Sequence, residues 1–348
     1  VVRTQRMPPW HADPHYSVFS NDRGLSLEEA KTLVHWIEAG SPRGSGADPL
    51  LTQKKDWPKW PLGEPDLVVE LPPFTTPATG TIPYQMVTVA NPLDRDVWIR
   101  AMDWLPGQRG VVHHIIGSAG GAERRGAVSL NNYVPGAEPL VLPEEAGILL
   151  PAKSTFHFQV HYTSNGQELT DVTRYGLYFR KDPPKHKFRS LIFATRGLKI
   201  PANTKVHEER AERTFENEAV VYTLHPHAHY RGRSSRFDAY YPDGRMETLL
   251  NVPAYDFNWQ ATYELQKPLT VPKGTRIVYT QGYDNSVQNK ANPDPNRVVT
   301  WGEQTWDEMI FGVIRYRNID ENAPEQPMRQ QQQPSQEELF TERQAPGQ

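Results

Sequence analysis

Short apolar runs separated by turn residues fill the chain from residue 66 onward. Six such runs precede a proline-marked break at 182–185, and they lie at 67–71, 84–89, 96–101, 110–116, 155–162 and 175–179. Seven more follow the break, at 190–195, 219–224, 236–241, 245–251, 261–264, 275–282 and 309–315. Short strands at regular spacing with intervening turns are typical of β-sandwiches. We therefore expect a mainly β fold with two antiparallel, jelly-roll-like β-sandwich domains, at 66–188 and 189–320.

A small helical piece is predicted before the strands. Ser26 and Glu29 fit a capping box, an apolar stripe follows at helical spacing, and Gly40 ends the helix. The piece at 1–45 is therefore expected to be separate from the sandwiches. The segment at 46–65 is rich in Pro, Gly, Ser and Asp, which predicts a linker. The tail at 321–348 lacks apolar periodicity and is expected to be disordered.

Composition narrows the possible chemistry. The 348 residues contain no cysteine, which excludes disulfides, Fe–S clusters, thiolate zinc sites and Cys nucleophiles. The net charge of -3 and the lack of a polybasic run give no reason to expect nucleic acid as a partner. No apolar run approaches the ~20 residues of a membrane span. The chain begins at Val1 without a signal-peptide pattern, so we expect a mature or truncated piece of a longer protein.

Histidines at alternate positions mark the segment at 222–232, which reads YTLHPHAHYRG. Alternate residues of a strand share one face, so His225, His227 and His229 are expected to point to the same side. Imidazole is the commonest metal ligand in proteins. The pattern predicts half of a metal site, and the alternative is a His-rich surface strand that binds metal only by accident.

Two further histidine groups lie in the first predicted sandwich. Adjacent strand residues face opposite ways, so His113 and His114 can bind one metal only if a bulge or strand end turns them together. Otherwise one of them faces inward and the other outward, with no metal. The second group, His157-x-Gln159-x-His161, shares one strand face. In it, His157 either orients a metal ligand or is an ordinary core residue.

Met309 is one of only six methionines. A methionine at the start of an apolar strand is ordinarily core filler. A thioether beside two imidazoles would instead favour Cu(I) over zinc or magnesium, because soft sulfur ligands prefer soft metals.

Taken together, four motifs in chain order carry a family resemblance: HH at 113–114, QVHY at 159–162, HAHYRG at 227–232 and DEM at 307–309. They resemble the copper type II, ascorbate-dependent monooxygenases, such as the peptidylglycine α-hydroxylating and dopamine β-monooxygenases. The resemblance covers about residues 66 to 320.

The resemblance implies two coppers per chain, one in each sandwich. The first copper would store and relay an electron on His113, His114 and His161, with Gln159 near it as a cofactor-binding residue. The second would bind O2 and attack a C–H bond on His227, His229 and Met309, the implied catalytic residues. The implied partners are a small-molecule substrate, O2, and ascorbate or another electron donor. The implied location is periplasmic or secreted.

Three positions depart from the peptide-amidating members of that family. His225, Phe311 and Val313 stand where those enzymes carry the Arg, Asn and Tyr that hold a peptide carboxylate. We therefore reject a glycine-extended peptide as the substrate. The role of His225 stays open between orienting a ligand, serving as an alternative ligand and lying in solvent.

The N-terminal piece resembles the end of a c-type cytochrome domain. The resemblance rests on MPPWHAD at 7–13, NDR at 21–23 and a helix that ends in WIEAG at 36–40. It implies Met7 as an axial haem ligand and a bacterial branch in which a haem domain precedes the oxygenase. With no cysteine, covalent haem is not expected in this chain, and Met7 in a small helical cap describes the piece better.

Two other functions remain open. One is a mononuclear zinc hydrolase that uses His225, His227 and His229. The other is a copper-binding or carbohydrate-binding double sandwich without catalysis, attached to a cytochrome.

Overall fold

The computed structural model describes residues 1–4, 6–48, 51, 58–121 and 127–322. Residues 52–57 of the predicted linker lie outside the described residues. So does the predicted disordered tail, apart from its first two positions.

The predicted helix is confirmed as α1 (Leu27–Glu38). The hydroxyl of Ser26 accepts from the backbone N–H of Glu29, whose carboxylate accepts from the backbone N–H of Ser26, so both halves of the capping box form. Gly40 follows in the left-handed region at φ 84°. No residue of α1 is buried, and the apolar stripe at helical spacing is exposed at Leu27, Leu33 and Ile37.

Before residue 189, the described residues form the following strands: β1 (Leu67–Glu70), β2 (Phe74–Thr76), β3 (Gln85–Ala90), β4 (Val97–Leu105), β5 (Val112–Gly120), β6 (Val128–Ser129), β7 (Leu140–Val141), β8 (Ala146–Leu150), β9 (Thr155–Tyr162), β10 (Leu169–Asp171), β11 (Arg174–Phe179) and β12 (His186–Lys187). They are followed by β13 (Arg189–Thr195), β14 (Lys199–Ile200), β15 (His207–Thr214), β16 (Ala219–His227), β17 (Gly232–Tyr240), β18 (Met246–Val252), β19 (Tyr263–Val271), β20 (Arg276–Tyr283), β21 (Val299–Thr300) and β22 (Ile310–Asn318). The prediction of a mainly β fold is confirmed.

The first sandwich packs two sheets around an aromatic core. One sheet has the order β1-β11-β4-β8-β12, with β7 beside β4, and the other has the order β3-β9-β5-β6. Trp104 of β4 lies between them, with its ring centroid 5.3 Å from that of Phe158 and 4.1 Å from that of Tyr175. The pairing of β12 with β8 is parallel, which departs from the expected purely antiparallel arrangement.

The second sandwich has the sheets β13-β22-β16-β19 and β15-β20-β17-β18. Phe193 and Phe237 pack edge to face across its core, with centroids 5.7 Å apart. Trp10 and Phe19, from the N-terminal piece, pack against this same core at Tyr263. Part of the piece expected to stand apart therefore belongs to the surface of the second sandwich.

The chain passes from one sandwich to the other at Phe188, between β12 and β13. The outer face of β5 and β9 then lies opposite the outer face of β16 and β22. A cavity of about 900 Å³ lies between these faces. Arg315 of β22 spans the gap by donating to the backbone carbonyl of Leu130 at 2.7 Å. The space between the sandwiches is therefore where side chains of both sheets meet.

β22 carries a glycine that its core requires. A Cβ at Gly312 would lie 2.9 Å from Phe237 and 3.0 Å from Tyr279. We expect Gly312→Ala to lower the free energy of unfolding by about 1–3 kcal/mol, because overpacking forces neighbours off their preferred positions. Thermal unfolding measures this. Gly197→Ala, whose Cβ would meet nothing closer than 3.7 Å, is the control. Equal melting temperatures for the two variants would contradict the packing argument.

Candidate metal centres

A β-bulge turns the two adjacent histidines of β5 together. Val112 pairs with Tyr162 and His114 pairs with His161, so His113 is the extra residue between two consecutive pairs. A bulge here is what the sequence analysis required for His113 and His114 to bind one metal. Ring nitrogens of His113, His114 and His161 all lie within 4.8 Å of one another. The bulge and the β5–β9 register thus assemble three imidazoles.

In the described part of the chain, the ring nitrogens of this trio have no hydrogen-bond partner outside the trio. Nδ1 of His113 and Nδ1 of His114 are 3.4 Å apart, with no carboxylate or carbonyl bridging them. Nδ1 of His161 is buried and has no hydrogen-bond partner among the described residues. Leaving a buried polar atom unpaired is costly, and a metal ion would satisfy it. Three imidazoles suit copper or zinc. The trio therefore fits a bound metal.

Tyr84 covers the trio, a contact that the sequence did not predict. Its ring lies 5.2 Å from that of His114 and 4.7 Å from that of His161. Its hydroxyl is buried without a partner in the described part of the chain. Burial, together with nearby Tyr230 and Glu303, raises the pKa of Tyr84, so the phenol stays protonated.

The second set comes from the end of β16, where the rings of His227 and His229 lie 5.2 Å apart. Nδ1 of His227 meets Oε1 of Gln260, and Nδ1 of His229 lies 3.3 Å from the carbonyl of Asp307. The amide nitrogen of Gln260 donates to the carbonyl of Phe257, which fixes the amide orientation. Because these oxygens only accept, both Nδ1 atoms carry the proton and both Nε2 atoms keep a lone pair for a metal.

The carboxylate of Glu308 holds this segment in place. Its Oε2 accepts from the backbone N–H groups of His229 at 2.8 Å and Met309 at 3.3 Å, and its Oε1 accepts from that of Arg231 at 2.6 Å. Burial raises the pKa of Glu308 to about 7, and the three N–H donors oppose this shift because they favour the carboxylate. One side chain thus brings the backbones of His229 and Met309 together.

The backbone of Met309 lies near that of His229, because the N–H groups of both residues donate to Oε2 of Glu308. The β16–β22 register pairs His227 with Phe311, two residues beyond Met309.

Burial keeps the histidines of both sets neutral. It lowers the pKa of His113 and of His227 to about 4 and that of His161 to about 3. It also holds the pKa values of His114 and His229 well below the ordinary imidazole range. Neutral imidazole is the form that binds a metal, so both sets are ready to bind at neutral pH.

A single aromatic ring separates the two sets. Phe257 stacks on His113 at 4.8 Å with an interplanar angle of 18°, and its ring lies 6.2 Å from that of His229 at 90°. The sequence alone gave no reason to expect Phe257 here. It lies in a loop, and many residues along the chain separate it from each of these histidines.

Two other histidines have different surroundings. His225 pairs with Val313, lines the cavity, and has its Nδ1 3.2 Å from the hydroxyl of Thr262. It belongs to neither imidazole set. His157 lies four residues from His161 on β9, about 13 Å along a strand. Its Nε2 lies 3.0 Å from the backbone carbonyl of Gly121, so it is a buried histidine with a hydrogen bond of its own.

Gln159 and Met7 complete the positions predicted from the sequence. The side-chain amide of Gln159 donates to Glu303 at 3.2 Å, which links β9 to the loop before β22. It pairs with Ile116, two pairs along the strands from His114 and His161 and on the same face. The side chain of Met7 is 44% exposed.

No family model and no curated protein matches this chain. Among solved structures, the stem and receptor-binding domain of spike protein P1 from bacteriophage PM2 is similar over 70% of this chain and 99% of that chain, at 8% identity and a TM-score of 0.18. The structure of the infectious bursal disease virus Gx strain is similar over 75% of this chain and 74% of that chain, at 8% identity and a TM-score of 0.18. In the described residues, no helix is long and apolar enough to cross a membrane.

Replacing Glu308 with Gln tests its role. One acceptor oxygen becomes an NH2 that faces a backbone N–H, so we expect unfolding to become easier by about 1–3 kcal/mol. We expect metal affinity at the second set to fall roughly 10–100-fold, as for other groups that orient ligands. Metal titration and thermal unfolding measure both. Glu303→Gln, five residues away and exposed, is the control. A Glu308→Gln protein indistinguishable from that control would contradict the assignment.

The lowered histidine pKa values predict how the stability of the metal-free protein depends on pH. Unfolded imidazoles take up protons near pH 6.5, whereas the buried ones stay neutral to about pH 3–4. The unfolded state therefore binds more protons in this window, and stability falls as pH drops from 7 to 4. Each such group contributes a slope of up to about 1.4 kcal/mol per pH unit.

His225→Leu isolates one of these groups, because burial lowers the pKa of His225 to about 3. We expect the variant to lose stability less steeply with falling pH in urea unfolding. His35→Gln, on the exposed helix, should keep the steeper slope. Identical slopes for His225→Leu and the unsubstituted protein would show that His225 is not held neutral.

Proposed function

We propose that the protein is a copper-dependent monooxygenase that hydroxylates a C–H bond of a small organic molecule with O2 and an external reductant such as ascorbate. The observation that carries the proposal is the pair of imidazole sets on facing sheets, separated by the ring of Phe257. Hydroxylation places one oxygen atom in the C–H bond and releases the other as water. The balance takes two electrons and two protons, which the reductant and solvent supply.

The residues suit two different tasks. His113, His114 and His161 would hold one copper with three imidazoles, and His227, His229 and Met309 would hold the other with two imidazoles and a thioether. Bound copper would supply one-electron redox chemistry at the first set and oxygen activation at the second.

Neighbouring groups prepare both sets before any metal binds. Gln260 and the Asp307 carbonyl fix the rings of the second pair with Nε2 available, and Glu308 ties the backbone of Met309 to that of His229. Tyr84 and Phe257 pack against the rings of the trio. A site held in the correct geometry in advance does not have to reorganise during the reaction.

The zinc hydrolase that the sequence left open needs His225 as a third ligand. Its Nδ1 lies within hydrogen-bond distance of Thr262, which supports leaving it out of the ligand set. A copper-binding sandwich without catalysis would have the same ligands, and only turnover separates it from the proposed enzyme.

Metal content and oxygen uptake test the proposal. We expect about two coppers per chain, because each imidazole set offers enough soft ligands for one. His114→Ala should lower the count by about one. Met309→Ile should keep both imidazole sets but reduce ascorbate-driven O2 uptake to the background of the metal-free protein. Copper analysis and an oxygen electrode measure these values.

His35→Ala on the exposed helix serves as the control for both the copper content and the O2 uptake. One zinc per chain would favour the hydrolase, and stoichiometric copper without O2 uptake would favour the non-catalytic sandwich. Full turnover by copper-loaded Met309→Ile would remove Met309 from the proposed oxygen site.

A further inference from the structure

The cavity between the sandwiches has a floor with a polar end and an end at the second imidazole set. Three cross-strand pairs at alternate positions of β16 and β22 lie along this floor: Thr223 with Arg315, His225 with Val313, and His227 with Phe311. All of these residues except His227 line the cavity. Paired residues at alternate positions share a face, and the core of the second sandwich lies on the other face of this sheet. Four residues along a strand separate the first pair from the last, which is about 13 Å.

Arg315 places a positive charge at the polar end. Its side chain is buried, and its guanidinium donates to the backbone carbonyls of Ser129 at 3.4 Å and Leu130 at 2.7 Å. No carboxylate of the described residues forms an ion pair with it. Burial lowers the pKa of Arg315 to about 10, so the group remains charged at neutral pH.

The other arginines that line the cavity do have counter-ions. Arg23 pairs with Glu138 at 2.8 Å, and Arg189 pairs with Glu321 at 2.9 Å. A guanidinium has five N–H donors, and two carbonyls leave part of that capacity unused. A buried charge without a partner of opposite sign is unfavourable, so Arg315 is a position that an anion would stabilise.

Thr223 adds a second group beside Arg315. Its hydroxyl is buried and has no hydrogen-bond partner among the described residues. Directly paired residues have Cβ atoms about 4.5–5.5 Å apart, so the hydroxyl and the guanidinium can reach the same ligand group. A carboxylate offers two oxygens that accept from such a pair of donors.

The opposite end of the floor reaches the proposed oxygen site. The ring of Phe311 lies 5.9 Å from that of His227, and Gln260, which holds His227, also lines the cavity. Between the ends, Val313 and His225 lie on the floor, and Ile116 from the first sandwich gives an apolar wall opposite them. The volume of about 900 Å³ is within the usual range for small-molecule sites.

We propose that this cavity binds an elongated apolar molecule that carries one carboxylate. The carboxylate is held by Arg315 and Thr223, and the carbon skeleton passes Val313 to end at Phe311 beside His227. The carbon that reacts then lies about 13 Å from the carboxylate. The binding mode is independent of metal, and only the statement about the reacting carbon rests on the proposed oxygenase function.

Decanoate and decanol, an acid and a neutral alcohol of the same length, test the binding mode on the full chain. We expect decanoate to bind at least roughly tenfold more tightly than decanol to the metal-free protein, because charge-assisted hydrogen bonds are the stronger ones. Titration calorimetry measures both. Butyrate should bind more weakly than decanoate, because it cannot cover the apolar length of the floor.

Two variants locate the carboxylate. Thr223→Val removes a hydroxyl without a protein partner, so the fold should keep its melting temperature while decanoate affinity falls roughly fivefold to tenfold. Arg315→Met should remove the preference for decanoate over decanol, and Arg315→Lys should retain part of it. Arg317→Met, which removes an arginine paired with Glu145, should leave binding unchanged.

Equal affinity for decanoate and decanol would overturn the proposal, and so would unchanged decanoate affinity in a folded Thr223→Val protein. Decanoate binding that depends on Arg315 in a protein without copper or O2 uptake would keep the cavity assignment and reject the oxygenase. Two bound coppers with O2 uptake, and no preference for the acid, would reject the cavity assignment alone.

Discussion

The arrangement between the sandwiches depends on the buried carboxylate of Glu308. It accepts from three backbone N–H groups, two in the turn between β16 and β17 and one just before β22. Arg231, one of those three residues, continues the network with its guanidinium, which donates to Asn285 and to the carbonyl of Trp306. Through this side chain, the turn that carries His229 is joined to the segment that carries Met309.

Burial has opposite consequences for the two kinds of charged group between the sheets. It keeps imidazoles neutral and therefore able to bind a metal, as at His161 and His227. It leaves Arg315 charged, because a guanidinium loses its proton only far above neutral pH. The same interface between the sandwiches thus contains neutral ligands at one end and a positive charge at the other. Local composition, and not overall net charge, sets the chemistry there.

Alternation along single strands made part of this site predictable. It placed His227 and His229 on one face, and it identified a bulge as the requirement for His113 and His114 to act together. Contacts between distant segments gave no such signal. Phe257 and Gln260 lie in a loop without regular pattern, and β15 escaped prediction because its sequence, HEERAERT, buries only Ala211. Strand propensity is weak where nearly every side chain is charged and the partner strand supplies the apolar surface.

The extra residue at His113 also decides which side chains further along β5 face the core and which face the second sandwich. Beyond it, alternate residues from His114 to Ser118 face the second sandwich, while Ile115 and Ala119 enter the core. Loss of one residue there would exchange these two faces along the rest of the strand, with polar groups inside and apolar groups in the interface. A substitution in β5 changes the contacts of one side chain. An insertion or deletion of one residue would change both the core face and the interface face of the strand.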